Sequence, residues 1–220
     1  MPFALLTLFV WLGSASCGSP SVRFAVQLYE VHLNLAPDGS VEVHERIALR
    51  VGTDAARAFE RRVTGERVDG FRDVSASIDG QPATAGGGPG QVTIEPGRNL
   101  TVGWLLGPAS DASHVLDLRY RATGVVEIQG MRGTFRWQVL PEPRNYDINE
   151  ARLSLVLPQG TRPLVAPTID APGWQWASAP DKAVAVKTAV SHDESAERQF
   201  DGVDACFLDV QRERVGHQQA

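Results

Sequence analysis

Hydrophobic and polar residues alternate along much of the chain with the two-residue period of β-strands. Residues 22–51 contain two such segments, separated by a turn at Pro37-Asp38-Gly39-Ser40. On each segment the apolar residues share one parity: Tyr29, Val31, Leu33 and Leu35 on the first, and Val41, Val43, Ile47, Leu49 and Val51 on the second. This pattern predicts an antiparallel hairpin with one face in a hydrophobic core.

Further strand-like segments follow at short intervals, each bounded by glycine, proline or other turn residues. They cover residues 71–79, 91–105, 116–122, 134–140, 151–157 and 183–190. No stretch before residue 192 has a convincing 3.6-residue apolar period, whereas residues 205–214 fit either a short helix or a last strand. Many short strands with frequent turns predict an all-β fold, an antiparallel β-sandwich of immunoglobulin-like size.

Glu45 interrupts the apolar parity of the second strand. A carboxylate on the core side of a strand is costly unless a cation pairs with it, and an arginine fork can satisfy both of its oxygens. Arg61 and Arg62 are the nearest arginines after the strand. The sequence therefore predicts a structural ion pair between Glu45 and one of them, with an exposed edge position or a catalytic carboxylate as the alternatives.

The N-terminus has the pattern of an export leader. Residues 3–12 form an apolar run, which small residues follow up to Ser16, and the run is too short to span a bilayer. The segment Ser14-Ala15-Ser16-Cys17 resembles a lipobox, so Cys17 is a candidate for lipidation. The same small residues also suit ordinary signal-peptidase cleavage, which predicts a secreted or periplasmic protein. If Cys17 is not acylated, it is free to form a disulfide with Cys206, although a buried, inert thiol is the simpler expectation for Cys206.

These patterns divide the chain into a signal peptide at residues 1–16, an extracytoplasmic β-sandwich at 17–191 and a polar, poorly ordered C-terminal tail at 192–220. The formal net charge of −5 is spread over positions of mixed sign. No basic stripe with interleaved aromatic residues is present, so no nucleic-acid partner is expected. Membrane attachment is expected only through a lipid on Cys17 or through a partner.

Other candidate chemistry is sparse. The histidines lack metal-ligand spacing, although His32 and His44 are expected to face each other across the hairpin, and no cofactor is predicted. The glycine-rich loop at residues 85–90 lacks a phosphate-loop ending and is expected to close a hairpin. Trp174 and Trp176 share one side of an extended segment, where they either pack or stack on a sugar ring. No nucleophile with a base partner is apparent.

Several of these segments together resemble a known family. The turn at residues 37–40, the following Val41-Glu42-Val43-His44-Glu45, a downstream arginine, the strand at 116–122, the aromatic strand ending at Trp137 and Ala151–Pro158 are similar to the bacterial membrane proteins of domain of unknown function 2207. The similarity covers residues 22–160. It implies an extracytoplasmic β-sandwich, commonly tethered to a membrane, in which Glu45 and Arg61 or Arg62 serve the fold.

The expected function is that of an exported cell-envelope domain acting as a non-catalytic interaction or structural module, with an envelope protein or a glycan as its partner. One alternative is a carbohydrate- or peptidoglycan-binding module that uses Trp174 and Trp176. A second is an accessory β-domain of a transglutaminase-like system.

Overall fold

A computed structural model describes residues 24–52, 58–64, 68–107, 112–130, 132–141, 144–158, 161–163, 168–169, 173–179, 182–191 and 202–209. Every helix or strand found in these residues is a β-strand, which confirms the all-β prediction. The strands are β1 Phe24–Leu35, β2 Val41–Val51, β3 Ala58–Thr64, β4 Gly70–Ile78, β5 Gln81–Pro82, β6 Val92–Pro96, β7 Asn99–Leu105, β8 Ser113–Thr123, β9 Val126–Gln129, β10 Arg132–Gln138, β11 Ile148–Val156, β12 Thr161–Pro163, β13 Thr168–Ile169, β14 Gln175–Ala179, β15 Lys182–Val190 and β16 Gly202–Asp209.

The strands form three sheets. The largest has eight strands in the order β14-β15-β11-β1-β2-β8-β4-β5, and a three-stranded sheet has the order β3-β7-β6. The third sheet contains β12-β16-β10-β9, with β13 also paired to β16. All strand pairs are antiparallel except β1 with β11, which is parallel. A parallel pair needs a long connection, and here most of the sandwich lies between the two strands in sequence.

The opening hairpin has the predicted register. Leu35 pairs with Val41, and Val31 pairs with Glu45. Its turn is held by the Asp38 carboxylate, which accepts hydrogen bonds from the Ser40 amide at 2.9 Å and the Ser40 hydroxyl at 2.6 Å. Gly39 has a φ of +80°, a conformation that favours glycine. Local turn chemistry and the apolar alternation therefore specify the same pairing.

Aromatic side chains pack the two smaller sheets against the inner face of the eight-stranded sheet. Phe24 of β1 meets Phe59 of β3 edge to face, with ring centroids 5.4 Å apart. Tyr120 of β8 lies 6.4 Å from Trp137 of β10. Trp104 and Trp137 are both buried. These contacts between layers make the fold a β-sandwich.

One local expectation needs correction. The glycine-rich loop at residues 85–90 does not close a hairpin, because it carries the chain from β5 in the eight-stranded sheet to β6 in the three-stranded sheet. A last strand, one of the two alternatives for residues 205–214, is present as β16, which pairs along β10 from Gly202 to Leu208.

The predicted leader, including Cys17, and residues 192–201 and 210–220 of the predicted tail lie outside the described residues. Within the described part of the chain, no helix is long and apolar enough to cross a membrane.

Candidate functional site

Glu45 lies at the centre of the sandwich, on the inner face of β2. Alternation points it inward with Val43 and Ile47, and its side chain is fully buried. Its neighbour in the register of β8 is Leu118, another buried residue. A carboxylate at this depth requires partners for both oxygens.

Four hydrogen bonds supply those partners. The Arg61 guanidinium donates from Nε to Oε2 at 2.7 Å and from Nη2 to Oε1 at 3.1 Å. The Tyr29 hydroxyl donates to Oε2 at 2.5 Å, and the Tyr120 hydroxyl donates to Oε1 at 2.8 Å. Each carboxylate oxygen therefore accepts one bond from arginine and one from tyrosine.

A third donor group of Arg61 is also used inside the protein. Its Nη1 donates to the backbone carbonyl of Arg62 at 2.6 Å. Burial disfavours the charged guanidinium, but the adjacent Glu45 carboxylate outweighs this and raises the pKa of Arg61 well above its usual value. The arginine is thus held in its charged form by the acid that it neutralises.

The tyrosines of this cluster are held in their neutral form. Burial raises the pKa of Tyr29 well above its ordinary value, although the positive charge of Arg61 opposes the shift. Burial and the negative charge of Glu45 raise the pKa of Tyr120 in the same way. A protonated phenol is the state that donates a hydrogen bond to a carboxylate. The cluster of Glu45, Arg61, Tyr29 and Tyr120, called here the buried acid cluster, is therefore satisfied without a ligand.

Arg62, the other candidate partner, is on the wrong face of its strand. Along β3 the side chains of Phe59, Arg61 and Val63 are buried, whereas Arg62 is exposed. Because side chains of adjacent strand residues point to opposite faces, only one of two consecutive arginines can reach Glu45. The geometry assigns that role to Arg61.

The described residues do not show Trp174 and Trp176 as a pair of exposed rings on which a sugar could stack. Trp174 is partly buried and packs against the hydrophobic core, with its indole nitrogen buried. Trp176 pairs with Ala185 in the register of β14 and β15, and its side chain lies outside the described part of the structure. Cys206 pairs with Thr134 in the backbone register, and its side chain is likewise not described.

The outer face of the eight-stranded sheet carries a second polar group of residues. The His44 ring lies 5.8 Å from His32, and its Nε2 is 2.8 Å from the Asp117 carboxylate. Ser77 also donates to this carboxylate, at 3.3 Å, and Arg46 lies 3.7 Å from it. Within the described residues, no group of three or more potential ligands is arranged to hold a metal ion.

A concave pocket of about 420 Å³ opens beside these histidines. Its polar walls include His32, Asn34, Glu42, His44, Arg119 and Arg121. Asp73 also contributes to it from a bulge in β4, where its backbone has a φ of +54°. Bulges of this kind redirect side chains and are common beside binding sites.

Sequence reasoning found the acid and its arginine but missed the two tyrosines and the outer pocket. Tyr29 was assigned to the core by its parity, which is correct, but parity does not show that its hydroxyl reaches Glu45. Tyr120 is 75 residues further along the chain than Glu45. The sequence signal for these partners is a tyrosine, whose ring ends in a polar hydroxyl, at an inward-facing position of a strand next to that of Glu45.

Comparison with known proteins supports the fold and identifies the family. The chain is similar to the solved structure of yeast LTA4 hydrolase in complex with bestatin, with 11% identity and a TM-score of 0.51 over 85% of this chain and 29% of that one. It is also similar to a "putative protease" from Parabacteroides distasonis, with 9% identity and a TM-score of 0.50 over 84% of this chain and 40% of that one. At such identities the likeness shows the fold alone.

The chain thus spans less than half the length of either of these two proteins. No curated protein matches it in sequence. The family model described as "Predicted membrane protein (DUF2207) N-terminal domain" matches residues 25–203, which include all strands from β2 to β15. The chain therefore belongs to the family of DUF2207 N-terminal domains of predicted membrane proteins.

Proposed function

We propose that this domain is a non-catalytic interaction or structural module of a membrane-associated protein and that it lies outside the cytoplasm at the cell envelope. The observation that carries the proposal is the internal use of Glu45, the carboxylate for which a catalytic role was one alternative from the sequence. Its two oxygens accept four hydrogen bonds from buried donors. General acid or base catalysis needs a carboxylate that reaches the substrate, and this one is sealed between sheets.

The buried acid cluster instead supports a structural role. It joins β1, β2 and β8 of the eight-stranded sheet to β3 of the three-stranded sheet. A paired charge in a core is weak support for stability but fixes which surfaces face each other, since a shifted register leaves both ions unpaired. The sandwich is thereby kept as a well-defined platform, which suits a module that presents surfaces to a partner.

The envelope location rests on the leader-like N-terminus and on the family. The family description names membrane proteins, and the lipobox-like segment at Cys17 offers a route to the membrane. We propose lipidation of Cys17 or association with a partner as the means of attachment. Mass spectrometry of the mature N-terminus tests this: a diacylglyceryl Cys17 supports lipid anchoring, and an unmodified or differently cleaved N-terminus contradicts it.

The non-catalytic role is tested by assaying the purified chain on peptide, ester and glycoside substrates. The expected result is turnover no higher than in buffer, for the wild-type protein and for Arg119→Gln, a change in the outer pocket. Turnover that follows the protein through purification, and that a single exposed-residue substitution in this pocket abolishes, would overturn the proposal. Comparing two soluble, folded variants separates such an activity from a contaminant.

A glycan-binding role for Trp174 and Trp176 is a separate hypothesis. The contact of Trp174 with the core supports packing for this residue. Titration with cell-wall glycans tests the hypothesis, because stacking of a sugar ring on an indole changes tryptophan fluorescence. We expect no change; a saturable change that Trp176→Ala removes would favour glycan binding.

A further inference from the structure

Most polar residues of the outer pocket come from three adjacent strands, and three of them lie in one row of the register. His32 of β1 pairs with His44 of β2, which pairs with Arg119 of β8. Residues directly opposite each other on an antiparallel pair have side chains about 5 Å apart on the same face. Two imidazoles and a guanidinium therefore form a row across the sheet, called here the basic row.

The next row provides the other wall of the pocket. There Asn34 pairs with Glu42, which pairs with Arg121. The Arg121 guanidinium donates to Glu42 at 2.6 Å, so that these two charges neutralise each other. Asp73, in the bulge of β4 between the residues that pair with Arg121 and Arg119, adds a negative charge that acts on Arg121.

Asp117, the acid next to the basic row, already has partners within the protein. Asp117 accepts a hydrogen bond from Ser77, contacts His44 and lies near Arg46. Arg119, by contrast, has no hydrogen bond or ion pair to any residue in the described ranges, and its side chain is exposed. The pocket thus contains a guanidinium whose counter-charge is not provided by the described part of the fold.

We propose that this pocket binds a tetrahedral oxyanion, in nature a phosphate group, between Arg119 and the imidazoles of His32 and His44. A guanidinium presents paired N–H donors that match phosphate oxygens, and the His32 ring can donate from an N–H. His44, whose Nε2 is bonded to Asp117, can donate from Nδ1 when its ring is protonated. A carboxylate needs only one guanidinium fork, whereas the three donors of the basic row suit an anion with more than two oxygens. This inference extends the proposed function by giving the non-catalytic module a ligand class.

The two histidines make such binding dependent on pH. His32 is faced by Glu30 on its own strand, His44 on β2, Arg119 on β8 and Lys182 on β15. His44 in addition faces Asp117 and Arg46. Protonation of either imidazole adds positive charge to the pocket, so an anion binds more tightly as the pH falls and takes up protons on binding.

The test uses the full chain and two probes, inorganic phosphate and sulfate, followed through the imidazole C–H resonances in NMR titrations. Both anions are expected to shift the signals of His32 and His44, assigned with His32→Gln and His44→Gln. His114, whose ring contacts Asp79 at 2.8 Å elsewhere on the sheet, should not move. Absence of any saturable shift at His32 and His44 would overturn the proposal.

Matched arginine variants separate a site from general electrostatics. Arg119→Gln should weaken binding of both anions by about tenfold or more, as expected for loss of a charge-assisted hydrogen bond. Arg152→Gln makes the same charge change on the same sheet, at an arginine already paired with Glu30 and Glu150, and should change binding less than about twofold. Equal weakening by the two variants would contradict a built site.

Sulfate also isolates the contribution of the histidines, because it remains a dianion from pH 5 to pH 8. Sulfate binding should strengthen by about tenfold over this range as the pH falls, and a His32→Gln, His44→Gln double variant should remove the dependence. An unchanged dependence in the double variant would overturn the role of the imidazoles.

Vesicle sedimentation identifies the source of the phosphate group. Binding to phosphatidylglycerol over phosphatidylcholine vesicles that Arg119→Gln removes and Arg152→Gln keeps indicates a lipid headgroup, whereas binding of free phosphate alone indicates a soluble ligand. Failure of every anion titration removes this inference and leaves the non-catalytic role intact, since that role fails only through substrate turnover.

Discussion

Two carboxylates on opposite faces of the eight-stranded sheet lie in contrasting environments. Glu45 on the inner face is fully buried and accepts four hydrogen bonds from arginine and tyrosine. Asp117 on the outer face has a side chain 16% exposed and contacts histidine, serine and a more distant arginine. The two acids lie on neighbouring strands, where Glu45 pairs with Leu118, the residue after Asp117.

The difference follows from the cost of removing a charge from water. Inside the sandwich an unpaired carboxylate costs several kcal/mol, so that every oxygen has a partner. On the outer face water can replace a missing partner, and ionic contacts there contribute little. A binding site for an exchangeable ligand is therefore compatible with the outer face, whereas both oxygens of Glu45 are already occupied by neighbouring side chains.

The largest effect is expected from Glu45→Gln. The amide has a similar shape but leaves the Arg61 guanidinium buried without a counter-charge, which should cost about 3–5 kcal/mol of unfolding free energy. Urea denaturation followed by tryptophan fluorescence measures the loss. Arg62→Ala on the same strand is the control, and it should change stability by less than about 0.5 kcal/mol. Equal losses in both variants would show that the ion pair does not organise the core.

An intermediate effect is expected from Tyr120→Phe. It removes the hydroxyl that donates to Glu45 at 2.8 Å, and loss of a hydrogen bond to a charged group should cost about 1.5–3 kcal/mol. The matched control is Tyr146→Phe, because the Tyr146 hydroxyl is buried but has no hydrogen-bond partner within the described residues. That control should be neutral or slightly stabilising. The reverse order in urea midpoints would contradict the assigned hydrogen bonds.

The buried tyrosines also predict how the stability of the protein changes in alkali. The three tyrosines of the chain, Tyr29, Tyr120 and Tyr146, all have pKa values raised by burial above the ordinary value of 10.0. Above pH 10 the unfolded chain loses protons that the native protein keeps, so that stability falls as the pH rises. Tyrosinate absorbance near 295 nm should then appear together with unfolding. Absorbance that rises reversibly near pH 10 in folded protein would mean that the phenols are open to water.

The smallest effects are expected on the outer face. The pKa of His32 is lowered from its usual 6.5 by partial removal from water and by the nearby His44. The unfolded chain therefore binds the proton first, so that stability declines modestly as the pH falls below about 6.5 and is unaffected by this group above it. His32→Gln should flatten this part of the pH–stability curve. A curve unchanged by the substitution would place the dependence elsewhere.

More of the fold than of the sites could be predicted from the sequence. Apolar alternation predicted the opening hairpin and the inward parity of Glu45, because the side chains of a strand alternate between its two faces residue by residue. The same rule distinguishes Arg61 from Arg62 once the parity of β3 is known. Alternation does not predict which sheet β16 joins, or that the loop at residues 85–90 passes from one sheet to another. Both depend on contacts with strands that are distant in the sequence.

The sequence by itself determined that this is an all-β protein with one acid among its core positions, since side-chain parity and turn chemistry are local. Only the tertiary structure decided which groups meet that acid and which meet on the opposite face. Glu45, Tyr120 and Arg61 lie on separate strands, and His32, His44 and Arg119 converge only when β1, β2 and β8 take their places in one sheet. Strand order and register are set by the summed packing of all sheets, so no single segment contains that information.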